Sequence, residues 1–351
     1  MSRRRALVTG GAGFVGTNLV SHLVENGCEV VVLDNLSRPG VRRNLQWVQT
    51  TYGRHVRVEI ADVRHRWALR RALAGVSEVY HLAAQVAVTT SLDAPVDDFR
   101  VNAEGTLNLL EEVRRLPEAP FLLFTSTNKV YGALPDLELE RRGSRWEPVD
   151  PAIRDAGLSE ARPLDFCTPY GCSKGAADQY VLDYARTFSL PATVFRMSCI
   201  YGPHQFGTED QGWVAHFAIR ALEQRPITLY GDGAQVRDIL YVDDLVQAMQ
   251  LAREHVGDFA GNAFNMGGGP ANAVSLLEVV TSLAGLGSPT GVTYAEERPG
   301  DQRYYVADTR RFAEATGWRP EVDADEGIER LYGWLADERL PQRAQPRAVA
   351  L

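Results

Sequence analysis

Over the first 197 residues, short apolar runs alternate with segments whose apolar positions recur at helical spacing. That alternation predicts strands followed by helices and hence a parallel sheet covered on both faces. Ala6-Leu7-Val8 reads as a buried strand. Val15, Leu19, Val20, Leu23 and Val24 mark the helix after it, Gly27 closes that helix, and Glu29 to Leu33 forms the second strand. Further strands are predicted at Val56 to Ile60, Val79 to Leu82 and Phe121 to Phe124. A helix from about Pro95 to Arg115 carries Phe99, Val101, Leu107, Leu110 and Val113, and another starts at Thr168. From about residue 198 the pattern loosens into short strands, loops and helices near 212–224, 243–254, 275–286 and 324–337. No internal repeat is present, and the stretch after Pro341 reads as a poorly ordered end.

The turn after the first strand is Thr9-Gly10-Gly11-Ala12-Gly13-Phe14-Val15-Gly16. It satisfies GxGxxG at Gly11, Gly13 and Gly16 and GxxGxxG at Gly10, Gly13 and Gly16. Such glycines allow a tight turn and close backbone approach, so a pyrophosphate can sit on the helix N-terminus. Asp34 ends the second strand, where a carboxylate binds the adenosine ribose diol and repels a 2′-phosphate, favouring NAD over NADP. Arg38 tempers that preference, because a nearby Arg is what NADP sites use. Asp62 and Val63 end the third strand, where an adenine amino group could be bound, and the fourth runs into Ala83-Ala84-Gln85. The expected fold class is α/β: a doubly wound parallel-sheet Rossmann domain over 1–197, with a return segment near 236–262. A smaller, mixed α/β substrate-binding domain over 198–340 caps it, leaving 341–351 as a tail.

Composition adds limits. With 351 residues and 45% hydrophobic content, the chain can bury one large or two modest cores. A net charge of −8 argues against non-specific nucleic-acid binding, and no basic run exceeds Arg3-Arg4-Arg5. The stretch after those arginines is too short and too broken by glycine for a signal peptide or a membrane span, so a cytoplasmic protein with no membrane partner is expected. Four cysteines without a CxxC fit a reducing compartment, and seven scattered histidines without an HxxxH pair predict no metal site.

Of the 37 Lys and Arg residues only Lys129 and Lys174 are lysines, and Lys174 stands four residues after Tyr170 in Tyr170-Gly171-Cys172-Ser173-Lys174. A chain that otherwise uses arginine keeps lysine where a compact ammonium is needed. On a helix, i and i+4 share a face, so the two side chains point into the same space. A free tyrosine titrates near ~10. An ammonium about 4 Å away contributes up to ~4 kcal/mol at an effective dielectric of ~20, enough to bring the phenol towards neutrality.

Several motifs together resemble the extended short-chain dehydrogenase/reductases that act on nucleotide sugars: Gly10-x-x-Gly13-x-x-Gly16, His81-Leu82-Ala83-Ala84, Thr127 before Val130-Tyr131-Gly132, Tyr170-x-x-x-Lys174, Tyr201-Gly202-Pro203, Val236-Arg237-Asp238 and Arg298-Pro299-Gly300-Asp301. The resemblance runs from residue 5 to about 337. It implies catalytic Thr127, Tyr170 and Lys174, the last two also touching the cofactor, and adds Asn35, Leu82, Asn102 and Thr125 to the cofactor contacts. It implies substrate contacts from Gln85, Thr127, Asn128, Lys129, Tyr170, Arg237, Arg298 and Asp301, the arginines clamping a pyrophosphate. Gln85 to Ser91, Ser126 to Gly132, Leu164-Asp165-Phe166, Pro169 to Tyr180 and Asp210 to Val214 are more specific. They resemble the members that epimerise CDP-linked hexoses at C2.

Dehydratases of this family carry Thr-Asp-Glu where this chain has Thr127-Asn128-Lys129. An amide and an ammonium cannot serve as that acid and base, so dehydration is not expected. Cys199 stands where many members have a substrate-holding Asn. The expected reaction is redox-neutral: Tyr170 as phenolate removes a hydroxyl proton, the sugar carbon gives up hydride to NAD, and the keto sugar takes it back on its other face. A 4-epimerase would share the same three residues, a net dehydrogenase or reductase would release its cofactor, and a non-enzymatic NAD sensor would be expected to lose the Tyr and Lys. The long helices after Pro95 and Thr168 resemble the pair that forms a four-helix bundle between subunits, so a homodimer or homotetramer is expected.

Overall fold

Strands that are apolar on successive positions, not alternate ones, are suited to burial on both faces; such segments, with the alternating Val56–Ile60 at one edge, form a seven-stranded sheet. They are β1 (Arg5–Thr9), β2 (Glu29–Asp34), β3 (Val56–Ile60), β4 (Glu78–His81), β5 (Phe121–Thr127), β6 (Ala192–Met197) and β7 (Ala263–Met266). All pairs are parallel, in the order β7-β6-β5-β4-β1-β2-β3. The computed structural model describes residues 4–298 and 300–343; the expected tail from 344 onward and Pro299 lie outside the described residues. One face of the sheet packs Leu19, Val20, Leu23, Leu245 and Met249. The other packs Leu69, Leu109, Leu110, Val113, Val181 and Leu182. The chain winds outward from β1 to β3 and then restarts at β4 on the other side of β1. This reversal opens a crevice at the carboxyl ends of β1 and β4.

The strand that returns to this sheet is Ala263–Met266, just beyond the expected 236–262 segment. Val236–Tyr241 instead belongs to a smaller sheet, paired with Cys199–Tyr201, Ala273–Ser275 and Tyr304–Tyr305. That sheet and the helices Trp213–Leu222, Leu276–Gly285 and Ala324–Arg343 bury Val214, Phe217, Ile239, Leu283 and Leu331 in a separate core.

The helix expected from Pro95 to Arg115 is interrupted. Pro95–Phe99 and Gly105–Val113 are α-helical, and a wide π turn joins them at Arg100–Glu104. The extra residue in that turn slips the helical register. Asn102, Ala103, Thr106 and Leu109 therefore face inward, while Phe99, expected in the apolar stripe, is 55% exposed. The second long helix, Thr168–Thr187, buries Tyr170, Ser173, Lys174, Ala177, Asp178, Val181 and Leu182 at helical spacing. It packs against β5 and β6.

Asp178 on this helix is fully buried and accepts from both Nε (2.9 Å) and Nη2 (3.0 Å) of Arg196 on β6. Removing one partner strands the other charge in the interior, so Arg196→Met lowers unfolding stability by about 3–5 kcal/mol, read from urea denaturation. A loss under about 1 kcal/mol would show that the pair does not hold the helix to the sheet.

Candidate active site

A cavity of about 770 Å³ lies at the crevice beside β1. Of the residues expected to bind the cofactor, all except Asn102 line it. Gly10 has φ +70°, and a Cβ there would lie 2.8 Å from the Ala83 nitrogen; one on Gly16 would lie 2.2 Å from the Gly10 carbonyl oxygen. Gly13 starts the helix Phe14–Glu25 with no side chain capping it. The first helical N–H groups are thus left for an anion. Asp34 accepts from the backbone nitrogens of Ala12 (3.1 Å) and Leu36 (2.8 Å), which fixes its carboxylate at the rim; burial raises its pKa. In the wall, Gln85 Oε1, Ser126 Oγ and Gln205 Oε1 are buried without a hydrogen-bond partner among the described residues. A bare helix N-terminus, a ribose-binding carboxylate and unmet polar atoms are what a dinucleotide such as NAD would occupy.

Three expected cofactor contacts also have protein partners. Asp62 accepts four hydrogen bonds, three from Arg64 and one from Asn35, all between 2.8 and 2.9 Å. These fill the roughly four acceptor sites of a carboxylate, so an adenine amino group would displace one of them. Arg38 reaches across the crevice to Gln211 Oε1 (2.7 Å) instead of standing ready for a 2′-phosphate. Asn102 is buried behind the wall, where its Oδ1 accepts from the Gln85 nitrogen (2.9 Å) and its Nδ2 donates to the Gln85 carbonyl (3.1 Å).

A second cavity of about 320 Å³ adjoins the first. Thr127 and Tyr170 line both, at their junction. The Thr127 hydroxyl donates to Asn128 Oδ1 (3.2 Å) and accepts from the Lys129 nitrogen (3.3 Å). Lys174 donates from Nζ to the Thr125 carbonyl (2.6 Å) and lies 4.2 Å from the Phe124 ring centre. Burial pushes Tyr170 up to about 12, outweighing the nearby Thr127 hydroxyl and the Arg38 charge, while Asp98 raises it further. Burial likewise pulls Lys174 down to about 7, against Asp178 and Asp98. The expected effect of the ammonium on the phenol is opposed by desolvation of both groups, which the Coulomb argument had left out. His81, from the same motif set, is a buried support: its ring joins Thr9 Oγ1 (2.7 Å) and Thr106 Oγ1 (3.0 Å), and burial lowers it to about 3.

The second cavity brings together Asn128, Lys129, Arg237, Arg298 and Asp301 from distant parts of the chain; Gln85 stays on the cofactor side. Asp301 Oδ1 accepts from Arg237 (2.6 Å) and Lys129 (3.4 Å). Burial pushes Asp301 up, but Arg237 and Lys129 hold it below the usual carboxylate range. Lys129 is lowered, by burial first. Arg298 lies 3.7 Å from the Tyr230 ring centre, a cation–π contact, and donates to the Glu209 carbonyl (3.0 Å). Asn128 Nδ2 donates to Gln302 Oε1 (3.0 Å). Cys199 accepts from the Trp213 indole (3.3 Å).

Arg64, Ser126, Ser198 and Gln205 also line these cavities and escaped the sequence reading. Gln205 follows the Tyr201-Gly202-Pro203 motif by two residues, which was the available signal. What brings its loop over the crevice is tertiary: Asn18 donates to the Pro203 carbonyl (2.9 Å) and Asn44 to that of His204 (3.1 Å).

The sequence model of the NAD dependent epimerase/dehydratase family matches residues 6–267. A CDP-paratose 2-epimerase of Salmonella typhi is 42% identical over 340 residues, covering 95% of this chain and 99% of that protein. A dTDP-glucose 4,6-dehydratase of Escherichia coli is 31% identical, with 94% and 92% covered. Among solved structures, the UDP-glucose 4-epimerase of Thermus thermophilus in complex with NAD superposes with a TM-score of 0.79. It shares 34% identity, with 95% of this chain and 99% of that one covered.

These neighbours and the glycine cradle give a direct expectation. Acid extracts of the purified protein contain NAD or NADH and not NADP. Gly16→Ala, whose Cβ meets the Gly10 carbonyl, retains at most about a tenth of that content. Full retention would remove the glycine loop from the binding site.

Proposed function

The chain belongs to the NAD dependent epimerase/dehydratase family, and from that premise we propose that it inverts C2 of a CDP-linked hexose of the paratose/tyvelose type. It is an NAD-dependent nucleotide-sugar enzyme. The observation that carries the proposal is the junction of the two cavities, where Tyr170 and Thr127 line both. The CDP-paratose 2-epimerase of Salmonella typhi supports the choice of carbon and nucleotide.

A sugar C–H flanked only by hydroxyls is too weakly acidic for direct deprotonation, so inversion goes through a ketone. Tyr170 takes the proton of the hydroxyl on the carbon being oxidised and Thr127 donates to the same oxygen; the proton returns when the carbonyl is reduced on its other face. NAD, when bound, supplies a cationic ring that accepts a hydride and gives it back, and its charge adds to that of Arg38 in favouring the phenolate. Arg298 and Arg237 hold the pyrophosphate, with Arg237 oriented by Asp301. Asn128 is tied to Gln302 and Lys129 to Asp301, so neither offers the acid or base that eliminating water requires.

Leu92, Val96, Phe99, Tyr180 and Phe188 are exposed large apolar residues on or beside the helical segments 88–113 and 168–187. We assign this face to a second copy of the chain, giving a homodimer or homotetramer. The four cysteines are free, in keeping with a cytoplasmic setting, and no described helix is long and apolar enough to cross a membrane.

Incubated with a panel of CDP-, UDP- and dTDP-hexoses in deuterated water, the protein inverts C2 of a CDP-hexose with no deuterium at that carbon and no net NADH. Inversion at C4, or deuterium at the inverted carbon, would refute the reading. Tyr170→Phe keeps its NAD and loses about 10²-fold or more in kcat, the scale of a positioned acid/base. By light scattering the wild type is a dimer or tetramer and Val96→Asp shifts it towards monomer; a wild-type monomer at micromolar concentration contradicts the assembly.

A further inference from the structure

Two carboxylates face the buried Lys174, and they are not equivalent. Asp178, on its own helix, is matched oxygen for oxygen by the Arg196 guanidinium. Asp98, on the helix Pro95–Phe99, is 1% exposed and has only neutral partners. Its Oδ2 accepts from the Ser173 hydroxyl and its Oδ1 from Asn102 Nδ2 (3.2 Å). Among the described residues it makes no ion pair. Ser173 lies between Tyr170 and Lys174 on their helix, and Asn102 Nδ2 reaches its Oγ as well (3.0 Å). Asn102 in turn grips the Gln85 backbone at the cofactor cavity. A single carboxylate thus ties the helix carrying Tyr170 and Lys174 to the loop lining the cofactor cavity.

We propose that Asp98 is a positioning residue for the reaction, holding the Tyr170/Lys174 helix in register through Ser173 and Asn102 and presenting an unpaired negative charge to the Lys174 ammonium. The proposal rests on the reading of Tyr170 and Lys174 as the reacting pair. Every charged group facing them enters the argument. Lys174 meets Asp178 and Asp98 as anions and His81, held neutral by burial, on β4. Tyr170 meets Asp98 and the cation Arg38. Burial drives Lys174 towards the neutral amine, and Asp178 first and then Asp98 oppose that drift, Asp98 being the one of the two without a cationic hydrogen-bond partner of its own. The carboxyl is itself raised by burial, while Ser173, Lys174 and Asn102 favour its charged form.

The test uses the fact that the chain has two lysines. In protein labelled with ¹³C at lysine Cε, two resonances report Lys129 and Lys174, told apart with Lys129→Arg. Asp98→Asn keeps the shape and removes the charge, so the Lys174 midpoint falls by roughly one unit while that of Lys129 stays put. In turnover assays both limbs of the kcat–pH profile move to lower pH, because an anion has left the neighbourhood of both groups. Asp98→Glu keeps the charge on a longer arm. Its Lys174 midpoint stays closer to wild type than that of Asp98→Asn, and it serves as the folded comparison should Asp98→Asn lose the helical circular dichroism of the parent. A Lys174 midpoint that does not move in folded Asp98→Asn, or that falls as far in Asp98→Glu as in Asp98→Asn with the charge retained, overturns the proposal. The titration needs no substrate. If the wild type turns over no nucleotide sugar, the functional reading has failed while the lysine result stands by itself.

Discussion

Taking an ammonium out of water is costly unless carbonyls and anions replace its hydration shell, and the surroundings of Lys174 meet that demand. The Thr125 carbonyl, the Phe124 ring face, Asp178 and Asp98 all address it, from β5, its own helix and the helix Pro95–Phe99. Each partner constrains an element. β5 must end at Thr125–Thr127, Asp178 needs Arg196 on β6, and Asp98 must be carried in by a helix whose π turn also aims Asn102 inward. The site and the sheet therefore share the same contacts.

Burial also sets the chemical tone of the site. Tyr170 is held up at about 12, towards the proton affinity of a sugar hydroxyl, and Lys174 is held down to about 7. Nearby charges act on both groups. Arg38 and Asp98 act on the phenol in opposite directions, and Arg38 is fixed by Gln211 on the loop that crosses the crevice. The second cavity follows a similar rule: Asp301 couples Arg237 and Lys129, so these cations are oriented and partly neutralised by the fold.

Much of this was legible from local pattern. The strand, glycine turn and helix from Ala6 to Val24, the acid at Asp34 and the Tyr170–Lys174 spacing depend on neighbours a few residues apart, where steric limits on glycine and helical periodicity are decisive. The third strand, read as Val56 to Ile60, has those bounds in the structure. What local pattern did not show is long-range. The hydrogen bonding of Asp62 needs Asn35 and Arg64 to converge, and Arg38 finds its partner 173 residues away. Phe99 was read into a regular helix because a π turn leaves no periodic mark.

The sequence by itself determined the alternation of strands and helices, the dinucleotide cradle and the placing of Tyr170 and Lys174 on one helix face, since these follow from the chirality, size and spacing of adjacent residues. The tertiary structure alone decided the protonation balance at Tyr170 and Lys174, the pairing of Asp301 with Arg237 and Lys129, and the link from Asp98 through Ser173 to the helix that carries the chemistry. Desolvation and Coulomb interactions depend on what surrounds a group in space, and folding assembles those surroundings from segments that sequence order keeps far apart.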